Sequence, residues 1–456
     1  MRTLSTRVAL GALALGLAVT STACASSDDA GSDGTTTITV MGIPPTTKAA
    51  ARQAYLDQVA AFEQANPKIK IETTDAAFDP TAYATQLAGG NAPSMLLVAL
   101  TEPAGLIARR QVADLTTAAE ELTNFKQFDP RVLDNLRDSA GKLYGIPTSS
   151  YALGLVYNRK LFIQAGLDPA RPPTTWDELA AAAKQITDRT GVPGFAEMTV
   201  RNGGGWRLTA GTYSRGGAMQ VQQGEKFAAT VDNPQAVAHL TQLQRMRWQD
   251  KSMGTNQLLG YDDVNSGFAA GKFGMIISDP GYYASYLNQY KGDPANFGAG
   301  AYPQAGGNAT LIGGQAAMVN PKASAAQRAA ALKWVDFYYL RPQYEPTAAA
   351  ERARSNKESG IPVGVPTVAL FNTEVQQRIA EAVKPYVTVD QANFAPFLTG
   401  TASLQYKPEP PVEAQKLYAA LDTTVQAVLT RQDADPAAEL AAAQKTATTI
   451  VEQAQR

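Results

Sequence analysis

Apolar residues recur along the chain at two spacings, which predicts strands that alternate with helices. Short apolar runs at Thr37–Met41 and Met95–Leu100 have the length of buried strands. Between them, Ala49–Ala65 repeats its apolar side chains at helical spacing, and Asp79 followed by Pro80 is typical of a capped helix start. Such an alternation of strands and helices is typical of an α/β lobe.

The middle of the chain continues this alternation. Leu153–Tyr157 is a mostly apolar run of strand length. Arg159–Ala165 is long enough for one or two helical turns, and Gly166 is placed to end them in a left-handed cap. Thr175 and Glu178 have the spacing of a capping box, which predicts the start of a longer helix.

The second half of the chain predicts one aromatic loop and two closing helices. The glycine-rich segment Arg201–Gly205 is followed by Trp206, which predicts a loop that carries a large aromatic side chain. Pro411–Leu429 and Pro436–Gln455 have the apolar spacing and the proline starts of helices.

Length and composition limit the function classes. A chain of 456 residues exceeds one compact core and predicts two domains or more. The formal net charge of −1 gives no electrostatic argument for binding nucleic acid. The chain has one histidine, His239, and one cysteine, Cys24, which excludes an internal disulfide, a zinc site of several His and Cys, and a Cys–His nucleophilic pair.

The first residues predict a secretory signal. A positively charged start precedes the apolar run Val8–Val19, which is too short to cross a membrane as a helix. Cys24 follows small residues and resembles the lipidated cysteine of a bacterial lipobox, although Ser21 stands where an aliphatic residue is usual. The alternative is cleavage without lipidation. We expect a signal peptide over residues 1–24, a lipid anchor on the outer face of the cell membrane, and a flexible tether over residues 25–36.

Four motifs between Gly141 and Thr187 carry a family resemblance. They read GKLYGIP, LVYNRKLF, AGLDP and TTWDEL, in that order. The stretches FEQANPKIKIE and FAAGKFGMIISDPGYY extend the pattern to either side. Together they resemble the extracellular solute-binding proteins of bacterial ABC importers, in the sugar-binding group that includes maltose-binding protein.

The resemblance implies a two-lobe α/β fold of the type II periplasmic-binding-protein-like class, with a ligand cleft between the lobes and several hinge crossings. It assigns residues 37–150 and 312–378 to the amino-terminal lobe, and residues 151–311 and 379–456 to the carboxyl-terminal lobe. It also implies a monomer without cofactor or enzymatic activity. Such a protein captures a mono- or oligosaccharide and delivers it to the transmembrane permease of an ABC transporter.

Other functions stay open at this point. The same transport role with a glycerol-phosphate, phosphodiester or amino-sugar ligand is one, and phosphate would call for a cation such as Arg201, Arg207 or Arg354. An exported glycan-processing enzyme is another, but it needs two carboxylates across a cleft. No motif indicates such a pair, since neighbours such as Glu120 and Glu121 would point apart on a helix. Presentation of the solute to a sensor is a third.

A sugar site combines aromatic faces with polar groups in the crevice beyond the strand ends. The residues that follow the predicted strands, or that match ligand loops of the family, are Thr101, Glu102, Tyr151, Trp206, Asp279, Tyr282, Tyr283, Gly313, Gly314 and Gln315. We expect one of the two neighbouring tyrosines to stack on the sugar and the other to pack. The structural alternatives are a core position for Tyr151 and Trp206, and a tight strand entry for the two glycines. His239 is assigned no role in binding.

Overall fold

A computed structural model describes residues 34–224 and 226–455. The predicted signal peptide, the predicted lipidation site Cys24 and most of the predicted tether lie outside these residues. Within them, the first strand already includes Thr36, the last residue of the predicted tether. No helix of the described part is long and apolar enough to cross a membrane.

The described residues form twelve strands and eighteen α-helices. The strands are β1 (Thr36–Val40), β2 (Ile69–Thr73), β3 (Met95–Ala99), β4 (Gly145–Ala152), β5 (Gly154–Asn158), β6 (Phe195–Ala196), β7 (Gln220–Gln223), β8 (Lys226–Ala229), β9 (Met275–Ser278), β10 (Phe297–Ala301), β11 (Ala309–Val319) and β12 (Gln405–Lys407). The helices are α1 (Ala49–Ala65), α2 (Pro80–Gly89), α3 (Pro103–Ala108), α4 (Thr116–Glu120), α5 (Pro130–Leu133), α6 (Arg159–Ala165), α7 (Trp176–Thr190), α8 (Gly203–Tyr213), α9 (Pro234–Trp248), α10 (Tyr261–Ala269), α11 (Tyr282–Asn288), α12 (Ala325–Val335), α13 (Arg341–Tyr344), α14 (Pro346–Glu358), α15 (Thr373–Val383), α16 (Ala395–Thr401), α17 (Ala414–Thr430) and α18 (Pro436–Ala454).

Local sequence chemistry sets many of these boundaries. Asp79 caps α2 by accepting a hydrogen bond from the Ala82 amide at 2.7 Å. The capping box of Thr175 and Glu178 is present at the start of α7, as predicted. Gly166 ends α6 with φ at 79°, a left-handed conformation that glycine adopts without strain.

The larger sheet holds the first lobe together. Its strands follow the order β12–β11–β3–β1–β2, and β4 also pairs with β11. The first three strands run parallel, whereas β11 runs antiparallel to β3 and to β4. The second lobe is built on a sheet in the order β10–β5–β9–β6. Helices α8, α9, α17 and α18 pack on one another in this second lobe.

Two chain crossings, which lie side by side, join the two sheets. β4 belongs to the larger sheet and β5 to the smaller one, so the chain crosses at Leu153. The Leu153 amide donates to the Leu311 carbonyl at 3.0 Å, and the Thr310 hydroxyl donates to the Leu153 carbonyl at 2.7 Å. Leu311 is the last residue of β11 that pairs with β12, and Ile312 is the first that pairs with β4, which places the second crossing between them.

The sequence placed a third crossing between residues 378 and 379, a position that falls inside α15. This helix packs against α13 and α14. Farther along the chain, α16 packs on β10 of the smaller sheet. The place of this third crossing stays a prediction.

Candidate functional site

A cavity of about 340 Å³ lies where elements of both lobes meet. This volume is within the range of ordinary small-molecule sites. Aromatic and polar side chains dominate its wall. The lining residues are Ala99, Thr101, Tyr151, Met198, Val200, Arg201, Asn202, Gly203, Trp206, Tyr261, Asp262, Glu409, Gln415 and Tyr418.

The first lobe contributes the residues that follow β3. Thr101 lines the cavity, and its hydroxyl donates to Glu102 Oε1 at 3.2 Å. Glu102 stands next to the cavity wall at the start of α3. Burial raises the pKa of the Glu102 carboxyl, and the charge of Glu413 adds to the shift, while the Thr101 hydroxyl and Arg109 oppose it.

Tyr151 reaches the cavity from the end of β4 because its strand partner is a glycine. The register pairs Tyr151 with Gly313 of β11. A Cβ atom built on Gly313 would overlap the Tyr151 ring, with Cε1 at 2.8 Å and the hydroxyl closer still. The Tyr151 ring therefore lies over the Gly313 backbone, which fixes where it enters the cavity.

Trp206 lies in the first part of helix α8. The sequence predicted a loop for Arg201–Gly205, but the structure begins a helix at Gly203. Asp422 makes this start possible, because its Oδ2 accepts from the Asn202 amide at 2.8 Å and its Oδ1 from the Gly205 amide at 3.0 Å.

The glycines of α8 also bring two helices together. A Cβ atom built on Gly205 would overlap the backbone of Tyr418 in α17, with the Tyr418 carbonyl carbon at 2.8 Å. Glycine therefore permits a close approach of α8 and α17. The result is that Trp206 and Tyr418 line the same cavity.

A buried ion pair supports the Trp206 side of the cavity. Arg207 Nε lies 3.8 Å from Glu197 Oε1, and both side chains are 2% exposed. The Arg207 guanidinium also lies over the Trp206 ring, 4.3 Å from its centroid. Burial raises the pKa of Glu197 and lowers that of Arg207, and the charge of each partner opposes the shift of the other.

Two residues near the carboxyl terminus complete the wall. Glu409 lies between β12 and α17, and its Oε2 is buried without a hydrogen-bond partner. Tyr418 is buried on α17, and its hydroxyl lies near the Glu409 carboxyl without the geometry of a hydrogen bond. Burial raises the pKa of Glu409 to about 7, the nearby Tyr418 hydroxyl opposes the shift, and the charge of Glu102 adds to it.

The family is decided by the comparison with known sequences. Residues 44–345 match the family described as bacterial extracellular solute-binding protein, which is more than half of the chain. This chain belongs to that family. The sn-glycerol-3-phosphate-binding periplasmic protein UgpB of Salmonella typhimurium is 27% identical over 254 residues, which are 53% of this chain and 56% of the relative. The chain thus spans little more than half the length of this curated relative.

Solved structures show that this solute-binding protein has the two-lobe periplasmic-binding-protein-like fold, as the sequence predicted. The cyclic alpha-maltosyl-1,6-maltose binding protein of Arthrobacter globiformis matches with a TM-score of 0.67 at 20% identity, over 92% of this chain and 100% of that one. UgpB of Mycobacterium tuberculosis in complex with glycerophosphocholine matches with a TM-score of 0.68 at 16% identity, over the same shares.

The structure of this solute-binding protein brings three of the sequence-predicted residues, Thr101, Tyr151 and Trp206, to the cavity wall. Glu102 stands beside them. Gly313 acts through Tyr151, while Gly314 faces the neighbouring strand: with φ at 145°, it leaves no room for a Cβ atom beside the Ser149–Ser150 backbone. Gln315 pairs with Ser149 in the sheet and does not line the cavity.

The tyrosine pair after β9 is placed in an aromatic core, away from the cavity wall. Tyr282 and Tyr283 are 2% and 4% exposed, on helix α11. Tyr283 packs edge-on against Phe297 at 4.8 Å and against Phe394 at 5.3 Å. The expected stacking tyrosine is therefore absent from this wall, because both rings fill the core. The same wall includes Tyr261, 51% exposed at the start of α10.

Asp279 does not line the cavity. Its Oδ1 accepts from the Gly281 amide at 2.8 Å. Burial raises the pKa of Asp279, and the Gly281 amide and the charge of Arg207 oppose the shift. Asp279 is therefore a half-buried carboxylate that interacts with the charge of Arg207.

Sequence reasoning missed Glu409, Tyr418, Tyr261, Asp262 and Gln415. The carboxyl-terminal residues reach the cavity only because α17 packs on α8, and no local pattern near residue 409 records that contact. Tyr261 and Asp262 are the first two residues of α10.

A second, larger cavity of about 570 Å³ lies elsewhere, between the loop before α7 and helix α16. Most of its lining is apolar or proline, as at Pro172, Pro173 and Pro396. It does not contain the predicted ligand residues, and it lacks the clustered aromatic rings of the first cavity. The cavity between the lobes is therefore the candidate ligand site.

Proposed function

We propose that this protein captures a carbohydrate, a mono- or oligosaccharide, in the cavity between its lobes and delivers it to the transmembrane permease of an ABC transporter. One observation carries the proposal: residues of both lobes line one cavity, with the four aromatic rings of Tyr151, Trp206, Tyr261 and Tyr418 beside polar side chains. Aromatic faces cover the C–H surfaces of a sugar, and polar groups bind its hydroxyls.

Capture requires the lobes to close over the ligand. The proposed hinge consists of the crossings at Leu153 and at Leu311–Ile312, together with a third between α15 and α16. The first lobe then comprises residues up to 152 and the segment from 312 to the end of α15, and the second lobe the rest. In this division β12 joins the larger sheet only through Ala309–Leu311, the part of β11 that belongs to the second lobe. Hinge closure around a ligand is a common two-state device.

A second candidate ligand is a glycerol phosphate or phosphodiester in the same transport role. The UgpB relatives favour it, and Arg201 lines the cavity as a cation. The start of α8 does not add to this candidate, since Asp422 already accepts from its amides. An amino sugar is the third candidate, because Glu409 and Asp262 place carboxylates on the wall.

A thermal-shift screen tests the function. The panel contains neutral mono- and oligosaccharides, amino sugars, glycerol 3-phosphate and glycerophosphocholine. A ligand present at 100 times its dissociation constant should stabilise the protein by about 2.7 kcal/mol. If no member of the panel raises the melting temperature, the proposed function is wrong.

We propose a binding protein rather than a glycan-processing enzyme, because proteins similar to this chain are named for what they bind. Incubation with each ligand found in the screen, followed by chromatography, should return it unchanged. Detection of a cleaved or modified product would favour the enzyme.

The anchor and the oligomeric state are part of the proposal. Lipidation of Cys24 would hold the protein on the outer face of the membrane and near its permease. Membrane partitioning of the wild type and of Cys24→Ala tests the anchor: loss of partitioning in the variant is expected. Light scattering of the mature protein should give the mass of a monomer.

A further inference from the structure

Three residues on the wall of the cavity carry buried polar atoms that have no hydrogen-bond partner in the described chain. They are the Trp206 Nε1 donor, the Glu409 Oε2 acceptor and the Tyr418 hydroxyl, which can do both. Buried polar groups in folded proteins are nearly always hydrogen-bonded. Three exceptions on one cavity therefore point to partners that arrive with a ligand.

The surroundings of Glu409 supply no cation. Apart from burial, the groups that shift the pKa of Glu409 are the Tyr418 hydroxyl of α17, which lowers it, and the charge of Glu102 at the start of α3, which raises it. Burial raises the pKa of Tyr151 in β4 and of Tyr213 in α8, and the charge of Glu409 adds to both shifts. None of the ion pairs within the described ranges includes Glu409.

Glu413, the nearest acidic residue in the same loop, differs from Glu409 because it has a cation beside it. Glu413 pairs with Lys416 at 3.0 Å, so its charge is compensated within the protein. Glu413 does not line the cavity. Removal of one charge from this loop can thus be compared at a cavity position and at a position outside the cavity.

We propose that Glu409 accepts a hydrogen bond from a hydroxyl or ammonium group of the captured solute, and that Tyr418 and Trp206 complete this polar end of the site. The inference rests on the proposed function and names the chemistry that the cavity recognises. A phosphoryl group is disfavoured at this end wherever Glu409 is ionised, because its oxygens would then meet a carboxylate without an ion-pair partner. Arg201 and Asp262 are the other charged residues of the wall.

The titration of Glu409 predicts how ligand affinity depends on pH. A donor from the ligand favours the ionised carboxylate, so affinity should increase as the pH rises through about 7. The stability of the ligand-free protein should change the other way. Its folded pKa lies above the unfolded value, so this group costs stability as the pH rises from about 4.3 through about 7.

The experiment begins with a thermal-shift screen of the wild type against glucose, glucosamine, galactose, maltose, trehalose, glycerol 3-phosphate and glycerophosphocholine. The probe with the largest shift is then titrated calorimetrically at pH 5.5 and pH 8.5. The variants are Glu409→Gln, Tyr418→Phe and the control Glu413→Gln. Tyr418→Phe removes the hydroxyl beside Glu409 and keeps the buried aromatic ring, so the fold should be retained.

We expect Glu409→Gln to bind the probe at least tenfold more weakly at pH 8.5 and to lose the pH dependence. Its ligand-free melting temperature should rise by about 2 °C at pH 8.5. Tyr418→Phe should also bind more weakly, and Glu413→Gln should bind as the wild type does. A residue with a purely structural role would not move affinity and ligand-free stability in opposite directions.

The results separate the two claims. If no probe shifts the wild type, the proposed function fails and this inference fails with it. If a probe binds and Glu409→Gln binds it equally or more tightly, only the inference is overturned. A preference for glucosamine over glucose that disappears in Glu409→Gln identifies ammonium as the donor, and equal losses for the two sugars identify hydroxyl; both results support the proposal.

Discussion

Replacing Gly313 with alanine should damage ligand binding through Tyr151, although the glycine itself offers no side chain to the ligand. The two residues are partners in the register of β11 and β4. The added methyl group would lie 2.8 Å from Tyr151 Cε1 and closer to the hydroxyl. Tyr151 must therefore move, and it is one of the aromatic rings on the cavity wall.

The size of the effect follows from the contact. Ordinary van der Waals contacts begin at 3.4 Å, so the Cε1 atom must move by at least about 0.6 Å, and the hydroxyl by more. Overpacking of this kind costs about 1–3 kcal/mol. If the ring is displaced from its binding position, that cost corresponds to about a 5- to 150-fold loss of affinity.

Isothermal titration of Gly313→Ala, Tyr151→Ala and the double variant measures this coupling. We expect the double variant to bind as Tyr151→Ala does, because the methyl group has no ring left to displace. Gly89→Ala is the matched control, since its helical site on α2 has only the flexible Asn91 side chain nearby. Wild-type affinity in Gly313→Ala, or additive losses in the double variant, would refute the reasoning.

Three further changes test the support of the site. Asp422→Ala removes the cap of α8 and should cost about 1–2 kcal/mol of unfolding free energy and weaken ligand binding; an unchanged urea midpoint would contradict the cap. Glu197→Ala leaves Arg207 buried without its partner and should cost about 3–5 kcal/mol, part of which the double change Glu197→Leu, Arg207→Met recovers in urea unfolding. His239 is fully buried, and burial, with the charge of Arg215, holds its pKa well below the usual range. The unfolded chain therefore binds a proton that the folded chain does not, and the free energy of unfolding should fall as the pH drops below about 6.5. This fall should be smaller in His239→Leu. If the free energy of unfolding has the same slope against pH between pH 5 and pH 7.5 in the wild type and in His239→Leu, His239 is not its cause.

Local chemistry predicted the fold well where it acts over a few residues. The capping box at Thr175 and the helix Ala49–Ala65 are present, because their determinants are local in sequence. The glycine-rich start of α8 was misread as a loop, since its cap, Asp422, lies more than two hundred residues away.

The candidate site was predicted only in its first half. Thr101, Tyr151 and Trp206 line the cavity, and each is near a strand end or an aromatic motif that the sequence displays. Glu409 and Tyr418 reach it through long-range packing of α17 on α8, which no local spacing records. Tyr282 and Tyr283 follow a strand as a ligand loop would, but the aromatic residues around them, distant in sequence, hold both in the core.

The position of β11 has a consequence for the order in which the chain can fold during synthesis. This strand lies inside the larger sheet, between β3 and β4, yet it begins only at Ala309. The core of the second lobe is completed later still, because it includes α17 and α18, and α18 ends at Ala454. Neither lobe can close its core until most of the chain has been made. For a member of an extracellular family, we therefore expect this topology to favour export of the chain before either lobe has folded completely.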